Sequence, residues 1–237
     1  MVSKRTEELV KFDREHIMHP VCVVGENAGR VYEEADGLIL RDTEGKEYID
    51  VASQLASCNL GHGRREIIEA AQNEMNKLQH IGTYFGYNSV ANIECARKLT
   101  QFVPEGLGHF FFTSGGGEST DAAFRIARRY WNVRGMPSKY KIISLYNSYH
   151  GTVTGALNAT GILAFRTGFG PEPSGFLHIP PYNCYRCFLG LEYPHCDIAC
   201  AHMLDKVIEM EGSENIAAFI AEPVQGAGGF YAPPPEY

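Results

Sequence analysis

Three consecutive glycines precede a stretch of helix-forming residues and could bind an anion. Residues 112–120 read Phe-Thr-Ser-Gly-Gly-Gly-Glu-Ser-Thr, with the glycines at Gly115, Gly116 and Gly117. The first backbone N–H groups of a helix have no partner within the helix, and glycine lets such a backbone approach a ligand closely. Phosphate suits this turn, although a flexible turn without a ligand explains the glycines equally well. The segment matches neither the P-loop nor the dinucleotide fingerprint.

Two further segments carry side chains that suit a planar ligand. Tyr149 and His150 stand beside Gly151 directly after an apolar run, where flat rings could stack on a ligand. Glu222 follows another apolar run and precedes a Pro- and Gly-containing loop, a placement typical of a ligand-facing acid. Taken singly, the Tyr-His pair is more often loop packing and the acid a solvated strand end. The order of the three segments along the chain is more informative than any one of them.

A group of cysteines could hold a metal ion or remain reduced. Cys184, Cys187, Cys196 and Cys200 give a C-x2-C pair and a C-x3-C pair. C-x2-C spacing suits tetrahedral Zn²⁺, but the second pair is looser and the intervening loop is short for a zinc module. We therefore expect reduced thiols or an occasional disulfide here and assign no metal ligand. The remaining cysteines, which we expect to pack as small hydrophobic residues, are Cys22, Cys58 and Cys95.

Alternating strands and helices must position these segments. Apolar runs predict strands over residues 109–113, 141–145 and 216–221, and helical periodicity predicts helices over residues 118–131 and 198–211. Short, continuously apolar strands that alternate with helices are typical of a largely parallel sheet with helices on both faces. The fold class is therefore α/β, and the candidate residues follow the carboxyl ends of its strands.

The N-terminal part has a different pattern. Residues 1–20 are polar and permit a helix, and residues 21–51 contain short β-like runs around a Gly-containing turn, which predicts a hairpin. We expect this small α+β segment to form a domain over residues 1–60 and the larger domain to cover residues 61–237. Two amphipathic helices are predicted early in the larger domain, over residues 64–78 and 90–102.

Composition excludes several classes of function. The formal net charge of −7 disfavours a nucleic-acid partner, whose phosphates attract a basic surface. No apolar run approaches the ~20 residues of a membrane span, and the first residues lack the apolar core of a signal peptide. We therefore expect a cytoplasmic protein without membrane or nucleic-acid partners.

The ordered motifs resemble those of the class III (ω-) aminotransferases, which are pyridoxal 5′-phosphate (PLP) enzymes of fold type I. Leu60-Gly61-His62 is similar to a Leu-Gly-His segment of that family, and residues 112–120 are similar to its phosphate loop. Residues 149–151 resemble its ring-stacking segment and residues 222–225 its acidic strand end. The resemblance extends from about residue 21 to residue 237.

The resemblance implies roles for the candidate residues. The glycine segment Gly115, Gly116 and Gly117 would bind the PLP phosphate, chiefly through the N–H groups of the last two. Family members often carry serine at the position of Gly117, so one hydroxyl donor is missing here. Tyr149 would stack on the pyridine ring, His150 would shape that face, and Glu222 would lie near the 3-oxygen of the cofactor.

Two further residues would line the substrate pocket. Tyr84 would form part of its wall. Ala56 stands where some amine-preferring members carry a bulky aromatic residue, so that side of the pocket would be more open.

The resemblance further implies a homodimer that moves an amino group from an amine or ω-amino acid to a keto acid such as pyruvate or 2-oxoglutarate. The Asp that pairs with the pyridinium nitrogen and the Schiff-base Lys would follow the Glu222 strand and lie beyond Tyr237. No catalytic residue is therefore assigned, and we expect these residues alone to be the inactive N-terminal part of an enzyme. A PLP aminomutase or decarboxylase of the same fold, and a non-catalytic α/β binding module stapled by metal at residues 184–200, remain alternatives.

Overall fold

The computed structural model of the chain describes residues 2–237. These residues form two compact units, Met1–Gly108 and His109–Tyr237, with Met1 itself outside the described part. The division into domains 1–60 and 61–237 stays a prediction, because a compact unit does not by itself define a domain. Within residues 2–237, no helix combines the length and apolarity that a membrane crossing requires.

The first unit contains a helix and a small antiparallel sheet. Helix α1 covers Lys4–His16 and is capped by Ser3, whose hydroxyl accepts a hydrogen bond from the Thr6 N–H. The strands, in the order β1-β2-β3, cover Tyr32–Asp36, Ile39–Asp42 and Glu47–Ile49. Strands β2 and β3 form the predicted hairpin, with Leu40 opposite Tyr48. A short left-handed turn, Ser53–Ala56, and helices α2, Arg65–Lys77, and α3, Val90–Leu99, follow, with the 3-10 turn Tyr84–Gly86 between the helices.

The apolar run at residues 21–24 forms no strand, contrary to its pattern. The side chains of Val21, Val23 and Val24 are exposed, and the backbone there turns between Pro20 and Gly25. A β-like run needs a neighbouring strand to satisfy its backbone hydrogen-bonding groups, and the described residues pair none with it.

The second unit is built on a parallel sheet. Helix α4, Gly116–Val133, is followed by β4, Lys141–Leu145, and by two short helices, α5, Thr154–Ala159, and α6, Leu163–Arg166. Strand β5, Phe176–Ile179, helix α7, Ala199–Glu211, the 3-10 turn Ser213–Asn215 and strand β6, Ile216–Phe219, complete the unit. The sheet order is β5-β4-β6, and β4 runs parallel to both neighbours. This confirms the predicted α/β class.

Helices cover both faces of this sheet because its central strand is apolar on both sides. Ile142, Ile143 and Leu145 of β4 are fully buried. On one face, Ile143 and Leu145 pack with residues of α7 such as Met203. On the other face, Ile142 packs with Phe124 of α4 and with the end of α5, at Ala159.

The only tryptophan of the chain fixes α4 to this sheet. The indole N–H of Trp131 donates a 2.8 Å hydrogen bond to the carbonyl oxygen of Ala217 in β6. The ammonium group of Lys139 lies 4.5 Å from the centre of the indole ring. Such a contact adds a cation–π attraction to the packing of the helix.

Residues 109–113 do not form the predicted strand. The segment forms no strand, and Phe111 is 70% exposed. A buried strand needs a hydrogen-bonded partner strand on at least one edge, and neither three-stranded sheet of the described residues includes residues 109–113. The apolar run thus leads into α4 as unpaired chain.

Candidate functional site

A cavity of about 510 Å³ opens at the N-terminus of α4 in the second unit. Residues 114–118, 120 and 149–153 line it. The cavity therefore brings the glycine segment into contact with the loop that follows β4. Of the residues predicted to bind the cofactor, it unites Gly115, Gly116, Gly117, Tyr149 and His150.

The N-terminus of α4 presents free backbone donors to this cavity. Gly115 is the N-cap residue and has no side chain to occupy the N–H groups of the first turn. The carboxylate of Glu118 turns back and accepts a 3.0 Å hydrogen bond from the N–H of Ser114. Gly116 and Gly117, in the first turn of α4, line the cavity at the positive end of the helix dipole, which favours an anion.

Gly151 allows the loop after β4 to approach the N-terminus of α4 closely. A Cβ atom on Gly151 would lie 2.6 Å from the Cα atom of Gly117, closer than carbon atoms in contact, and Gly151 has a φ of +126°. A side chain at Gly151 would therefore push the loop after β4 away from the helix terminus. A Cβ on Gly117 would meet only ordinary contacts, at 3.4 Å from Val153 and 3.6 Å from Gly151.

Tyr149 lines the cavity and is held in place by Phe165 and Glu222. The residue is 38% exposed, and its ring centre lies 5.4 Å from that of Phe165. The Tyr149 N–H donates a 2.7 Å hydrogen bond to Oε1 of Glu222. The Gly226 N–H donates a 3.0 Å hydrogen bond to Oε2 of the same carboxylate. Glu222 thus joins the loop after β4 to the loop after β6, and it is not among the residues that line the cavity.

His150 places an unpaired ring nitrogen beside the cavity. Only 8% of the residue is exposed, and no described residue bonds to its Nε2 atom. Its backbone N–H donates to the hydroxyl of Thr160 at 2.9 Å. Burial lowers the pKa of the imidazole, partly offset by the negative charge of Glu222, so the ring is neutral at pH 7. A buried polar atom without a partner is costly, which makes Nε2 a candidate contact for a ligand.

A second buried residue with an unpaired atom was missed from the sequence. Gln225 is fully buried, and its side-chain nitrogen donates to the carbonyl oxygen of Tyr146 at 3.2 Å. Its Oε1 atom has no partner among the described residues. Gln225 belongs to the Glu-Pro-Val-Gln motif, so the motif pointed to this position although only its acid received a role.

Tyr84 and Ala56 belong to the first unit. Tyr84 is 80% exposed in the 3-10 turn, and Ala56 is exposed in the left-handed turn. Their part in a substrate pocket stays a prediction.

Four cysteines line a common cavity elsewhere in the second unit. It measures about 20 Å³ and is bordered by Cys184, Cys187, Cys196 and Cys200, all of them free. Burial and then the neighbouring thiols at Cys196 and Cys187 raise the pKa of Cys184. Within residues 2–237, no three His, Cys, Asp or Glu side chains are arranged to hold a metal ion. The expected packing of Cys22 and Cys95 as small hydrophobic residues is wrong. Both are exposed, because no residue in the described part of the first unit covers them.

Known proteins resemble the chain over most of its length. The family model "Aminotransferase class-III" matches residues 23–237. The putrescine–pyruvate aminotransferase of Pseudomonas aeruginosa is 33% identical over 241 residues, an alignment of 100% of this chain and 53% of that protein. A probable aminotransferase of Mycobacterium tuberculosis is 37% identical over 221 residues, covering 93% of this chain and 45% of that one.

Solved structures give the same result. An (S)-enantioselective ω-transaminase from Thermomicrobium roseum has 44% identity and a TM-score of 0.91, covering 96% of this chain and 52% of that one. An amine transaminase from an uncultivated Pseudomonas species, solved in its PLP-bound form, has 29% identity and a TM-score of 0.87, covering 94% and 50%. The chain thus spans about half the length of these relatives. By its sequence and by its fold, the chain belongs to the class III aminotransferase family, whose members use PLP.

Proposed function

We propose that the chain is the N-terminal part of a PLP-dependent aminotransferase and that the cavity at the N-terminus of α4 receives the cofactor. The observation that carries this proposal is the meeting of free helix N–H groups with the Tyr149 ring in one cavity. A phosphorylated, planar ring needs both features, because its phosphate requires donors and its ring requires a flat apolar surface.

The residues present fit PLP in size and chemistry. About 510 Å³ lies within the usual range for small-molecule sites. The backbone N–H groups of Gly116 and Gly117 suit the phosphate, and Tyr149 suits the pyridine ring. His150, which lines the cavity, has an unpaired ring nitrogen, and Gln225, in the loop after β6, has an unpaired amide oxygen. Unpaired buried polar atoms of this kind are candidate contacts for a polar ligand.

The chain itself supplies binding and orientation. Bound PLP provides the electron sink and the carbonyl group that accepts an amino group. Gly116 and Gly117 would hold the phosphate, and Tyr149 would lie against the ring. His150 stays neutral and therefore adds no positive charge to that face. Glu222 acts here as a positioning residue, because its two oxygens fix the loop that carries Tyr149; a role beside the 3-oxygen of the cofactor remains part of the proposal.

The reaction that we propose moves an amino group from an amine or ω-amino acid to a keto acid such as pyruvate or 2-oxoglutarate. The names of relatives support these classes: putrescine–pyruvate, taurine–pyruvate and diaminobutyrate–2-oxoglutarate aminotransferases. The Schiff-base lysine and the aspartate at the pyridinium nitrogen come from the remainder of the enzyme. In this proposal the enzyme is a cytoplasmic homodimer, Tyr84 contributes to the substrate pocket and Ala56 widens it.

The test uses the complete polypeptide that the gene encodes. We expect the purified protein to show a visible absorption band of lysine-bound PLP that disappears on borohydride reduction, and to form alanine from pyruvate with an amine donor. A colourless protein that gains no band from added PLP would refute the proposal.

Matched variants of one tyrosine test the site itself. We expect Tyr149→Phe to retain PLP, since the ring remains, and Tyr149→Ala to bind it more weakly by about 1 kcal/mol, roughly fivefold in Kd. Tyr185→Ala is the control, because that tyrosine is 90% exposed and lies outside the cavity. Equal affinities for all three variants would place the cofactor elsewhere.

A further inference from the structure

Three side chains of the first unit, outside the residues that line the cofactor cavity, form a row of contacts. The Sγ atom of Cys58 lies 3.5 Å from Nδ1 of His62. The Nε2 atom of His62 lies 3.0 Å from Oδ2 of Asp50. The order is thiol, imidazole, carboxylate, the arrangement in which a histidine can take a proton from a nucleophile.

The antiparallel sheet fixes the imidazole and the carboxylate. Asp50 directly follows β3, and its N–H donates to the carbonyl oxygen of Leu38 at 2.8 Å. His62 exchanges two backbone hydrogen bonds with Gly37, of 2.8 and 3.1 Å. Cys58 is tied to the same loop, because the Gly61 N–H donates to its carbonyl oxygen at 3.0 Å. The three groups are therefore held by backbone contacts independent of their side chains.

Asp50 selects the useful tautomer of the imidazole. The hydrogen bond from His62 and those from Gln54 hold the pKa of the Asp50 carboxyl below its usual range, so it is an anion that can only accept. Nε2 of His62 must then carry the proton that it donates to Asp50. In the neutral ring this leaves Nδ1 with a lone pair that faces the Cys58 thiol. The side chain of Asp50 is 6% exposed and that of His62 is 19% exposed, so water competes weakly for these bonds.

We propose that Cys58 is a nucleophilic thiol, assisted by His62 and oriented through Asp50, that soft carbon electrophiles modify. The S–H proton passes to Nδ1 of His62, and the sulfur electron pair forms a new S–C bond. The bond from that carbon to its leaving group breaks, and the leaving group departs with the electron pair. Asp50 stabilises the imidazolium ion, which then releases its proton to water. Cys58 is half-buried, so a small reagent can reach it.

Two other charged groups stand near this row. Asp36 lies beside Gly63, where an added Cβ would be 3.3 Å from its Oδ1 atom. The guanidinium group of Arg64 reaches the carbonyl oxygen of Leu60 at 3.5 Å and the carboxylate of Glu66 at 3.5 Å. Their charges are opposite, and neither accepts a hydrogen bond from His62.

The test measures alkylation of every cysteine in the complete protein with iodoacetamide, followed by peptide mass spectrometry. Cys22 and Cys95 are exposed and serve as internal references. We expect Cys58 to react about 10-fold faster than either at pH 7, a modest effect beside the roughly 10²–10⁴-fold typical of general acid–base assistance. Prior unfolding in urea should remove the difference.

Variants separate assistance from simple accessibility. His62→Gln should reduce the Cys58 rate to that of the references, and Asp50→Asn should lower it in part. His80→Gln replaces an exposed histidine of the same unit and should change nothing. If the His62 variant does not fold, the comparison within the unmodified protein still decides. A Cys58 rate no higher than that of Cys22 and Cys95, or one that His62→Gln leaves unchanged, would show that the row is only structural.

Discussion

Replacing Gly151 by alanine tests whether the close approach of two loops creates the cofactor cavity. The new Cβ would lie 2.6 Å from the Cα of Gly117 and 3.0 Å from the Cβ of Ala156. It would also force alanine to a φ of +126°, which residues with a side chain rarely adopt. Both effects act on the loop that carries Tyr149 and His150.

The loss of stability in Gly151→Ala has two parts, backbone strain and steric overlap. A strained backbone of this kind costs about 1–3 kcal/mol. An added methyl group in a packed site costs about 1–3 kcal/mol more, because the contacted atoms, the Cα of Gly117 and the Cβ of Ala156, cannot rotate away. We therefore expect Gly151→Ala to lower the free energy of unfolding by about 2–6 kcal/mol, a large part of the roughly 5–15 kcal/mol typical of a domain.

A second glycine isolates the contact from the strain. Gly170 also has a positive φ, +83°, but an added Cβ there would have no atom within 4 Å. Gly170→Ala should therefore lower the free energy of unfolding only by the cost of the backbone strain, about 1–2 kcal/mol. Urea unfolding followed by circular dichroism, with PLP binding measured in parallel, compares the variants. Equal midpoints and equal PLP affinities would refute the claim that the Gly117–Gly151 approach shapes the cavity.

Three further substitutions follow from the same site. Gly117→Ser should strengthen PLP binding about fivefold in equilibrium dialysis, because the Cβ has room and the hydroxyl can add a hydrogen bond worth about 1 kcal/mol; weaker binding would contradict this. Glu222→Gln should destabilise the protein in urea by about 1–3 kcal/mol, because the amide group cannot accept from both the Tyr149 and the Gly226 N–H; Glu222→Asp, which keeps the charge, is the comparison. The pKa of His150 is lower in the folded state, so the neutral imidazole gives a stability that is present above the ordinary value of 6.5 and is lost as pH falls through the folded pKa. His150→Asn should therefore weaken the dependence of the urea midpoint on pH over that range. An unchanged pH dependence would assign it to other groups.

The sequence predicts most of the second unit correctly because its signals are local. A continuous apolar run identifies β4, since a central parallel strand is buried on both faces. Helical periodicity identifies α4 and α7 within two residues of their ends. Residues 109–113 have the same composition as a buried strand but form none, because pairing depends on residues far away in sequence. Local composition cannot supply that information.

In the candidate site, too, the sequence predicts what depends on local signals and misses what depends on contacts between distant segments. The glycine segment and the Tyr149 loop were expected together because both lie at one end of a parallel sheet, and the cavity unites them. The direction of the Glu222 carboxylate depends on the positions of two backbone N–H groups in separate loops. The row of Cys58, His62 and Asp50 likewise depends on the pairing of the hairpin with a distant loop. Neither arrangement has a signature in residue spacing.

Because of its hydrogen bond to Ala217, Trp131 is an intrinsic fluorescent probe for the contact between α4 and β6. Indole emission is sensitive to the polarity around the ring and to hydrogen bonding at its nitrogen, and this chain has a single indole. Its fluorescence, excited where tyrosine does not absorb, therefore reports whether the helix that begins at the glycine segment is docked on β6. A shift in emission on adding phosphate or PLP would show that binding at the N-terminus of α4 changes the surroundings of Trp131, some four turns away, without any label.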